Sequence, residues 1–205
     1  ANAYSSRAIS KIFKLKKRPK NNPLIVHYSN LEMLKRDCIL NKNFINLYNK
    51  FCPGPLTFIL KLKKYSKISK FVTNKKKTLA VRFPSHPKAK GLLKILNYPL
   101  AAPSANISSR VSPVTKNHVK EEFGKKIKYI IEGGLSKIGL ESTIINLTGK
   151  PEILRVGTME INKLSKALKK KLFYRKKTYM KVPGQNRLHY SCLLYTSPSP
   201  RDPNR

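Results

Sequence analysis

Short, mostly apolar runs recur along this chain and constrain its fold more than any other feature. The runs lie at residues 24–26, 57–60, 79–81, 100–102, 127–131, 143–147 and 153–155. Apolar runs of this length are typical of buried strands. The first run follows Pro23 and the second follows the Pro-Gly-Pro turn at residues 53–55, which are positions where proline is compatible with a strand.

Segments with helical spacing lie between these runs. The predicted helices are residues 5–17, 30–36, 42–51 and 86–96 and one that Thr115 caps. Residues 61–77 carry eight lysines and few apolar anchors, so we expect a loop or an exposed edge there. Because helices and strands do not alternate strictly, the pattern predicts an α/β fold with a twisted, open, mixed sheet and flanking helices.

The charge balance of the chain is extreme. Its 205 residues include 44 Lys and Arg against 9 Asp and Glu, a formal net charge of +35. Such a field attracts anions, including ATP and nucleic acids. Lys, Asn and Ile are abundant throughout, as an AT-rich coding sequence would produce, so the charge alone does not establish RNA binding.

Cysteine usage and hydropathy exclude several classes of protein. Cys38, Cys52 and Cys192 are widely spaced, which predicts neither a zinc site nor a disulfide framework and fits a reducing compartment. No apolar run approaches the roughly 18 residues that a membrane span needs. We therefore expect a cytoplasmic protein without a membrane partner.

Two short polar motifs carry the chemistry of the sequence. In an extended segment, residues i and i+2 point to the same side, which would pair Ser104 with Asn106. Arg18 precedes Pro19 and is pushed toward extended geometry, which would favour Lys16 and Arg18 sharing a side. Two cations, a hydroxyl and an amide suit a phosphate-bearing ligand. Each motif alone is a weak signal, because both are common in basic chains and in turns.

Further motifs surround these two in a fixed order along the chain. The series consists of Lys16-Lys17-Arg18-Pro19, residues 22–27, 52–57, 80–84 and 99–106, Gly139-Leu140-Glu141-Ser142-Thr143 and Leu154-Arg155-Val156-Gly157. This series closely resembles the YrdC-like family of threonylcarbamoyl-AMP synthases over about residues 1–157. A weaker similarity continues to His189-Tyr190, and Val156 stands where the family commonly has proline.

The resemblance implies a sheet around a concave, basic cavity and a nucleotidyltransferase activity. The expected reaction joins L-threonine, bicarbonate and ATP into threonylcarbamoyl-AMP and pyrophosphate, for modification of tRNA. ATP would be a substrate, with Mg²⁺ held mainly by its phosphates. The expected partner is a downstream tRNA-modifying transferase complex, and tRNA itself is a possible partner.

The resemblance also assigns roles residue by residue. The expected catalytic residues are Lys16, Arg18, Ser104 and Asn106. The expected ATP-binding residues are Arg18, Asn22, Ser104, Ser112, Arg155 and Tyr190. The expected threonine-binding residues are His27, Arg82, Ala102 and Ser142, and no residue is expected to ligate a metal directly.

Two other functions remain open from the sequence. A basic sheet could bind double-stranded RNA or tRNA through backbone charge alone. A related enzyme of the same fold could form another carbamoyl adenylate. Against the related enzyme, the set His27, Arg82 and Ser142 favours an amino acid ligand, and the resemblance at His189-Tyr190 favours the two-domain threonine enzymes.

The resemblance suggests three regions. Residues 1–160 would be a catalytic domain that lacks the family's first strands, and we expect such a chain to be poorly stable and inactive. Residues 161–190 would be a basic helix and a linker toward a second domain. Residues 191–205, rich in Ser, Pro and Arg, look like foreign sequence and are expected to be disordered.

Overall fold

The computed structural model describes residues 1–136 and 139–172, so Tyr190 and the predicted tail lie outside the described residues. Helices within these ranges are α1 Ser6–Leu15, α2 Leu31–Asp37, α3 Lys42–Phe51, α4 Lys70–Thr73, α5 Pro87–Ile95, α6 Lys116–Phe123 and α7 Ile161–Leu168. Strands are β1 Ile25–His27, β2 Cys38–Ile39, β3 Leu56–Leu62, β4 Thr78–Arg82, β5 Leu100–Ala101, β6 Thr143–Asn146 and β7 Glu152–Arg155. None of the described helices is long and apolar enough to cross a membrane.

The strands form one mixed sheet in the order β5-β1-β4-β3-β6-β7, and the short β2 pairs with the far end of β3. The pairs β1–β4 and β3–β6 are parallel, and the other pairs are antiparallel. This arrangement confirms the predicted α/β fold with a mixed, open sheet and flanking helices.

Side-chain caps set the starts of five described helices, and four of the caps share one geometry. Ser5, Asn30, Asn41 and Thr115 each accept a hydrogen bond from the backbone N–H three residues later. Each cap satisfies a donor that the helix leaves unpaired and is worth about 1 kcal/mol. The predicted cap at Thr115 is therefore confirmed.

The sheet buries both faces, and the two faces have different roles. Phe58, Val81 and Val26 point into the main core beneath the helices. There Phe58 packs edge-to-face on Phe44 with ring centroids 5.0 Å apart, a contact worth about 1 kcal/mol beyond its buried area. The opposite face carries a small cluster of Ile25, Ile59, Ala80, Ile144 and Leu154.

Strand periodicity places polar residues on the face of the small cluster. His27 and Arg82 lie two positions beyond Ile25 and Ala80, at the ends of β1 and β4. Because residues i and i+2 of a strand share a face, both side chains point to the side of the small cluster. Register then makes them neighbours, since His27 pairs with Arg82 in the β1–β4 ladder.

A buried carboxylate ties α1 and α2 to the loop after β3. Asp37 is 1% exposed, and its carboxylate accepts hydrogen bonds from the hydroxyls of Tyr4, Tyr28 and Ser66 at 3.0, 2.9 and 2.7 Å. Burial and the neighbouring charge of Asp37 raise the pKa of both tyrosines, so their hydroxyls stay protonated and donate. Three donors thus compensate the desolvation of one carboxylate.

One prediction of local structure is wrong in part, and a second is wrong altogether. Residues 61–77 include the one-turn helix α4, capped by Ser69, and its Val72 is fully buried together with Ile68. Two apolar anchors therefore suffice to order this lysine-rich segment. Residues 127–131 form no strand, and Tyr129 and Ile131 are 77% and 59% exposed. No described strand pairs with them, so the apolar character of this run is not used in the sheet.

Helix α7 packs against α3 and extends the main core beyond residue 160. Leu164 and Leu168 are buried in that core, and the amide nitrogen of Asn46 donates 2.7 Å to the carbonyl of Ala167. The predicted helix of this region is therefore part of the same packed unit over its described residues.

Candidate active site

A cavity of about 250 Å³ lies on the face of the small cluster, where α1, β1, β4, β5 and β7 end. Ile25 forms part of its wall. All the sequence-predicted site residues line this cavity except Ser142, which is buried behind the wall, and Tyr190, which lies outside the described residues. The structure thus brings the two polar motifs and the predicted threonine-binding residues to one place.

Lys16 joins the two motifs directly. Its side chain is buried, and the ammonium donates to the carbonyl oxygen of Ser104 at 2.5 Å, to the carbonyl of Asn106 and to Oδ1 of Asn106 at 3.3 Å. The Lys16 carbonyl in turn accepts from the N–H of Ser108 at 2.8 Å. The side-chain ammonium and the backbone carbonyl of Lys16 therefore both hold the loop after β5 against the end of α1.

The expected extended geometry is wrong at Lys16. Lys16 is helical and Lys17 is left-handed, with φ 48°. The N–H of Lys17 donates to Lys14 and that of Arg18 donates to Phe13, which is a Schellman turn at the end of α1. This turn, and not strand alternation, directs both cations into the cavity. A left-handed lysine costs about 1 kcal/mol or more, which the surrounding structure must offset.

Burial lowers the pKa of both cations at the end of α1. Desolvation, reinforced by the positive charge of Arg18, lowers the pKa of Lys16 to about 8, while Glu122 and Glu141 oppose the shift. Burial also lowers the pKa of Arg18 to about 10. Both groups are cations at neutral pH. A bound anion would stabilise their charged forms and raise their pKa values again.

Arg18 and Asn22 form the edge of the cavity before β1. The guanidinium of Arg18 donates to the carbonyls of Asn22 and Pro23 at 3.1 and 2.9 Å, which fixes its orientation. Asn22 is 8% exposed, and its side-chain oxygen has no hydrogen-bond partner among the described residues. A buried, unpaired acceptor is costly, so this oxygen is suited to a ligand N–H or O–H.

His27 is a neutral hydrogen-bonding group in this cavity. Its Nε2 lies 3.1 Å from the carbonyl of Ala102, and burial, together with the charge of Arg82, lowers its pKa to about 4. Since a carbonyl only accepts, Nε2 carries the hydrogen, and Nδ1 of the neutral ring is left as an acceptor. The Nε of Arg82 donates to Gly54 at 3.3 Å and anchors the guanidinium beside His27.

Ser142 lies behind the cavity wall in a buried hydrogen-bond network. Its hydroxyl is 2.8 Å from the hydroxyl of Thr57, and Arg155 donates to its carbonyl at 3.0 and 2.8 Å and to its hydroxyl at 3.0 Å. A ligand in the cavity would therefore contact Ser142 directly only if it displaced the Arg155 guanidinium. Otherwise Ser142 would act on the ligand through Arg155.

The cavity also contains residues that the sequence prediction missed. Glu141, Ser108, Ser109 and Arg110 line it. Glu141 is the one carboxylate among the described lining residues; Ser112 donates to it at 3.2 Å and Arg155 lies 3.5 Å away. The sequence marks Glu141 only by its position next to Ser142. The nine acidic residues of the chain show no spacing pattern that would single it out.

Known proteins resemble this chain in sequence and in fold. A family model described as "Telomere recombination", for the Sua5, YciO and YrdC proteins, matches residues 1–157. The chain belongs to the Sua5/YciO/YrdC family. The threonylcarbamoyl-AMP synthase of Pyrococcus abyssi is 37% identical over 214 residues, which cover 98% of this chain and 62% of that relative. The synthase of Idiomarina loihiensis is 31% identical over 144 residues, which cover 68% of this chain and 75% of that relative.

Solved structures of the family share the fold. Pyrococcus abyssi Sua5 complexed with L-threonine has a TM-score of 0.83 at 36% identity, covering 90% of this chain and 56% of that chain. Escherichia coli YciO has a TM-score of 0.69 at 25% identity, covering 78% of each chain. The chain spans 62%, 55% and 46% of the synthases of Pyrococcus abyssi, Schizosaccharomyces pombe and Bacillus subtilis, about half of their length.

Proposed function

We propose that this family member carries the catalytic site of an L-threonylcarbamoyladenylate synthase, a nucleotidyltransferase that uses L-threonine, bicarbonate and ATP. One observation carries the proposal: the contact between Lys16 and the loop of Ser104 and Asn106 lies in the same cavity as the neighbours His27 and Arg82. A cationic phosphate site and a site for a small amino acid are thereby adjacent. The names of the relatives and the threonine complex of Pyrococcus abyssi Sua5 support this interpretation.

The nucleotide would occupy the side of the cavity near α1. Lys16 and Arg18 supply positive charge toward the phosphates, and the Ser104 hydroxyl and the Asn106 amide border the same space. The unpaired oxygen of Asn22 would accept from an amino or hydroxyl group of the nucleoside. Ser112 and Arg155 also line this space, and Tyr190 remains a predicted contact outside the described residues.

Threonine would occupy the side near the ends of β1 and β4. The guanidinium of Arg82 suits the carboxylate of an amino acid in a charge-assisted pair. Neutral His27 offers Nδ1 as an acceptor, and the segment at Ala102 allows close approach of a ligand. Ser142 would act through its contacts with Arg155.

The reaction needs positioning and charge stabilisation more than covalent catalysis. The threonine amine takes up the carbon of bicarbonate, and water leaves, giving a carbamate. A carbamate oxygen then forms a bond to the α-phosphorus of ATP, and the bond to the bridging oxygen breaks as pyrophosphate departs with its electron pair. Lys16 and Arg18 would stabilise the negative charge that develops on the phosphate oxygens.

A Mg²⁺ ion would enter the site with the phosphates of ATP. In residues 1–136 and 139–172, no group of three His, Cys, Asp or Glu side chains could form a metal cage. Mg²⁺ commonly keeps several waters and binds through substrate phosphates. When bound, the ion would neutralise phosphate charge beside Lys16 and Arg18. The product would pass to a tRNA-modifying transferase complex in the cytoplasm, and the net charge of +35 is compatible with tRNA binding.

Calorimetric titration tests the proposal, followed by measurement of pyrophosphate release. We expect the chain to bind L-threonine and a non-hydrolysable ATP analogue, and any pyrophosphate release to require threonine and bicarbonate together. An Arg82→Ala variant should weaken threonine binding with little effect on the analogue. Binding of RNA without binding of either small ligand would contradict the proposal and favour the RNA-binding alternative.

A further inference from the structure

Glu141 brings negative charge to a cavity that is otherwise cationic. Among the described residues that line the cavity, every other charged side chain is a lysine or arginine. A carboxylate at this position repels the phosphates of a nucleotide, which makes its presence costly for anion binding. Its contacts indicate a role that offsets this cost.

Both carboxylate oxygens of Glu141 engage groups from separate segments. Oε1 accepts from the Ser112 hydroxyl at 3.2 Å, and Oε2 lies 3.5 Å from Nη2 of Arg155 at the end of β7. Ser112 lies in the loop before α6, so no shared strand or helix fixes it relative to Arg155. The carboxylate is therefore a direct connection between these two side chains.

The backbone of Glu141 is itself held firmly. Its carbonyl accepts from the N–H of Thr158 at 3.0 Å and from the Thr158 hydroxyl at 3.1 Å. Gly157 approaches so closely that an added Cβ would lie 2.6 Å from the backbone of Ser142 and Thr143. A group that orients others must have a fixed position of its own, and Glu141 meets this condition.

We propose that Glu141 is a positioning residue for the nucleotide, which orients the Ser112 hydroxyl and the Arg155 guanidinium before the ligand binds. This inference rests on the proposed function, because it takes Ser112 and Arg155 as contacts of ATP. It extends that function by naming a residue that acts through them and does not touch the reacting atoms.

Two substitutions separate positioning from simple charge. Glu141→Gln keeps an acceptor for Ser112 but loses the charge that faces Arg155, and Glu141→Ala loses both. Positioning predicts that the dissociation constant of a non-hydrolysable ATP analogue rises about threefold in Glu141→Gln and about tenfold in Glu141→Ala, as expected for lost charge-assisted hydrogen bonds. The dissociation constant for threonine should rise less than that for the analogue, because threonine would depend on Arg155 only through Ser142, whereas its carboxylate would pair with Arg82.

If Glu141 were only a negative charge in the cavity, both variants would bind the analogue more tightly than the wild type, because repulsion is removed. Tighter or equal binding in Glu141→Ala would therefore overturn the inference. The matched control is Glu32→Gln, which removes one exposed carboxylate paired with Lys35 on α2, away from the lining residues of the cavity. It should leave both dissociation constants unchanged.

A readout without ligand distinguishes failure of this inference from failure of the proposed function. The Nε–H of Arg155 donates to Ser142 and gives an NMR signal of its own. In the ligand-free chain, we expect faster solvent exchange of this hydrogen in Glu141→Ala than in the wild type. An unchanged exchange rate would overturn the inference even if the wild-type chain binds both ligands. A wild-type chain that binds neither ligand but shows the exchange difference would overturn the proposed function, and with it the nucleotide role of Glu141, while the orientation of Arg155 by Glu141 would stand.

Discussion

The ammonium of Lys16 donates a 2.5 Å hydrogen bond to the carbonyl oxygen of Ser104, 88 positions further along the chain. This contact connects the end of α1 to the loop after β5 and brings together two motifs that are each weak signals. It also places a buried cation beside the space that we assign to the phosphates of ATP.

Loss of the Lys16 charge should weaken nucleotide binding more than it destabilises the fold. We expect Lys16→Met to weaken binding of an ATP analogue by about a hundredfold, because a buried charge-assisted contact of about 3 kcal/mol is lost. Calorimetric titration measures this change. Lys14→Met, which removes an exposed charge from the same helix, should change the affinity by less than about threefold. Equal effects of the two variants would contradict a specific role of Lys16.

The lowered pKa of Lys16 predicts opposite pH trends for binding and stability. In the ligand-free chain, the Lys16 ammonium loses its proton as the pH rises through about 8. The affinity of the chain for the ATP analogue should therefore fall above this pH. In the unfolded chain the lysine keeps its proton up to its ordinary pKa of 10.5, so between pH 8 and pH 10.5 the contribution of this group to the free energy of unfolding rises with pH. Urea titrations and calorimetry of wild type and Lys16→Met at several pH values isolate both trends. The same pH dependence of affinity and of the free energy of unfolding in wild type and Lys16→Met would contradict the prediction.

Asp37 should be essential for stability and not for ligand contacts. Asp37→Asn leaves three hydroxyl donors with one neutral acceptor, and we expect a loss of about 3 kcal/mol in the free energy of unfolding. Urea unfolding monitored by circular dichroism measures it. Glu32→Gln, at a carboxylate whose side chain is 75% exposed, should change stability by less than about 0.5 kcal/mol. A similarly small effect of Asp37→Asn would show that the hydroxyls find other partners.

Gly157 should not tolerate a side chain. A Cβ there would lie 2.6 Å from the backbone of Ser142 and Thr143, so Gly157→Ala must displace this strand start or the segment of Glu141. We expect a loss of about 2 kcal/mol in the free energy of unfolding, as for other overpacked sites. Gly149, where an added Cβ meets nothing within 4 Å, provides the matched control, since Gly149→Ala should be nearly neutral. Thermal unfolding of both variants checks the difference.

Most of the strands and capped helices follow from local sequence. The strands around Val26, Phe58 and Val81 occur where short apolar runs predict them, because a buried strand needs little more than continuous apolar side chains. The run at 127–131 has the same local character but no partner strand among the described residues, and strand formation requires a partner. The helix α4 forms because Ile68 and Val72 reach the main core, a contact that local composition does not reveal.

The sequence by itself determined the family, the mixed α/β sheet and the set of polar side chains available to the site, since these depend on motif order and on apolar periodicity. Only the tertiary structure decided how they meet. The left-handed turn at Lys17 directs Lys16 to Asn106, Ser142 lies behind Arg155, and Glu141 faces Ser112. These relationships join residues far apart in the chain, and their geometry follows from the packing of helix ends and loops on the sheet, which no local pattern encodes.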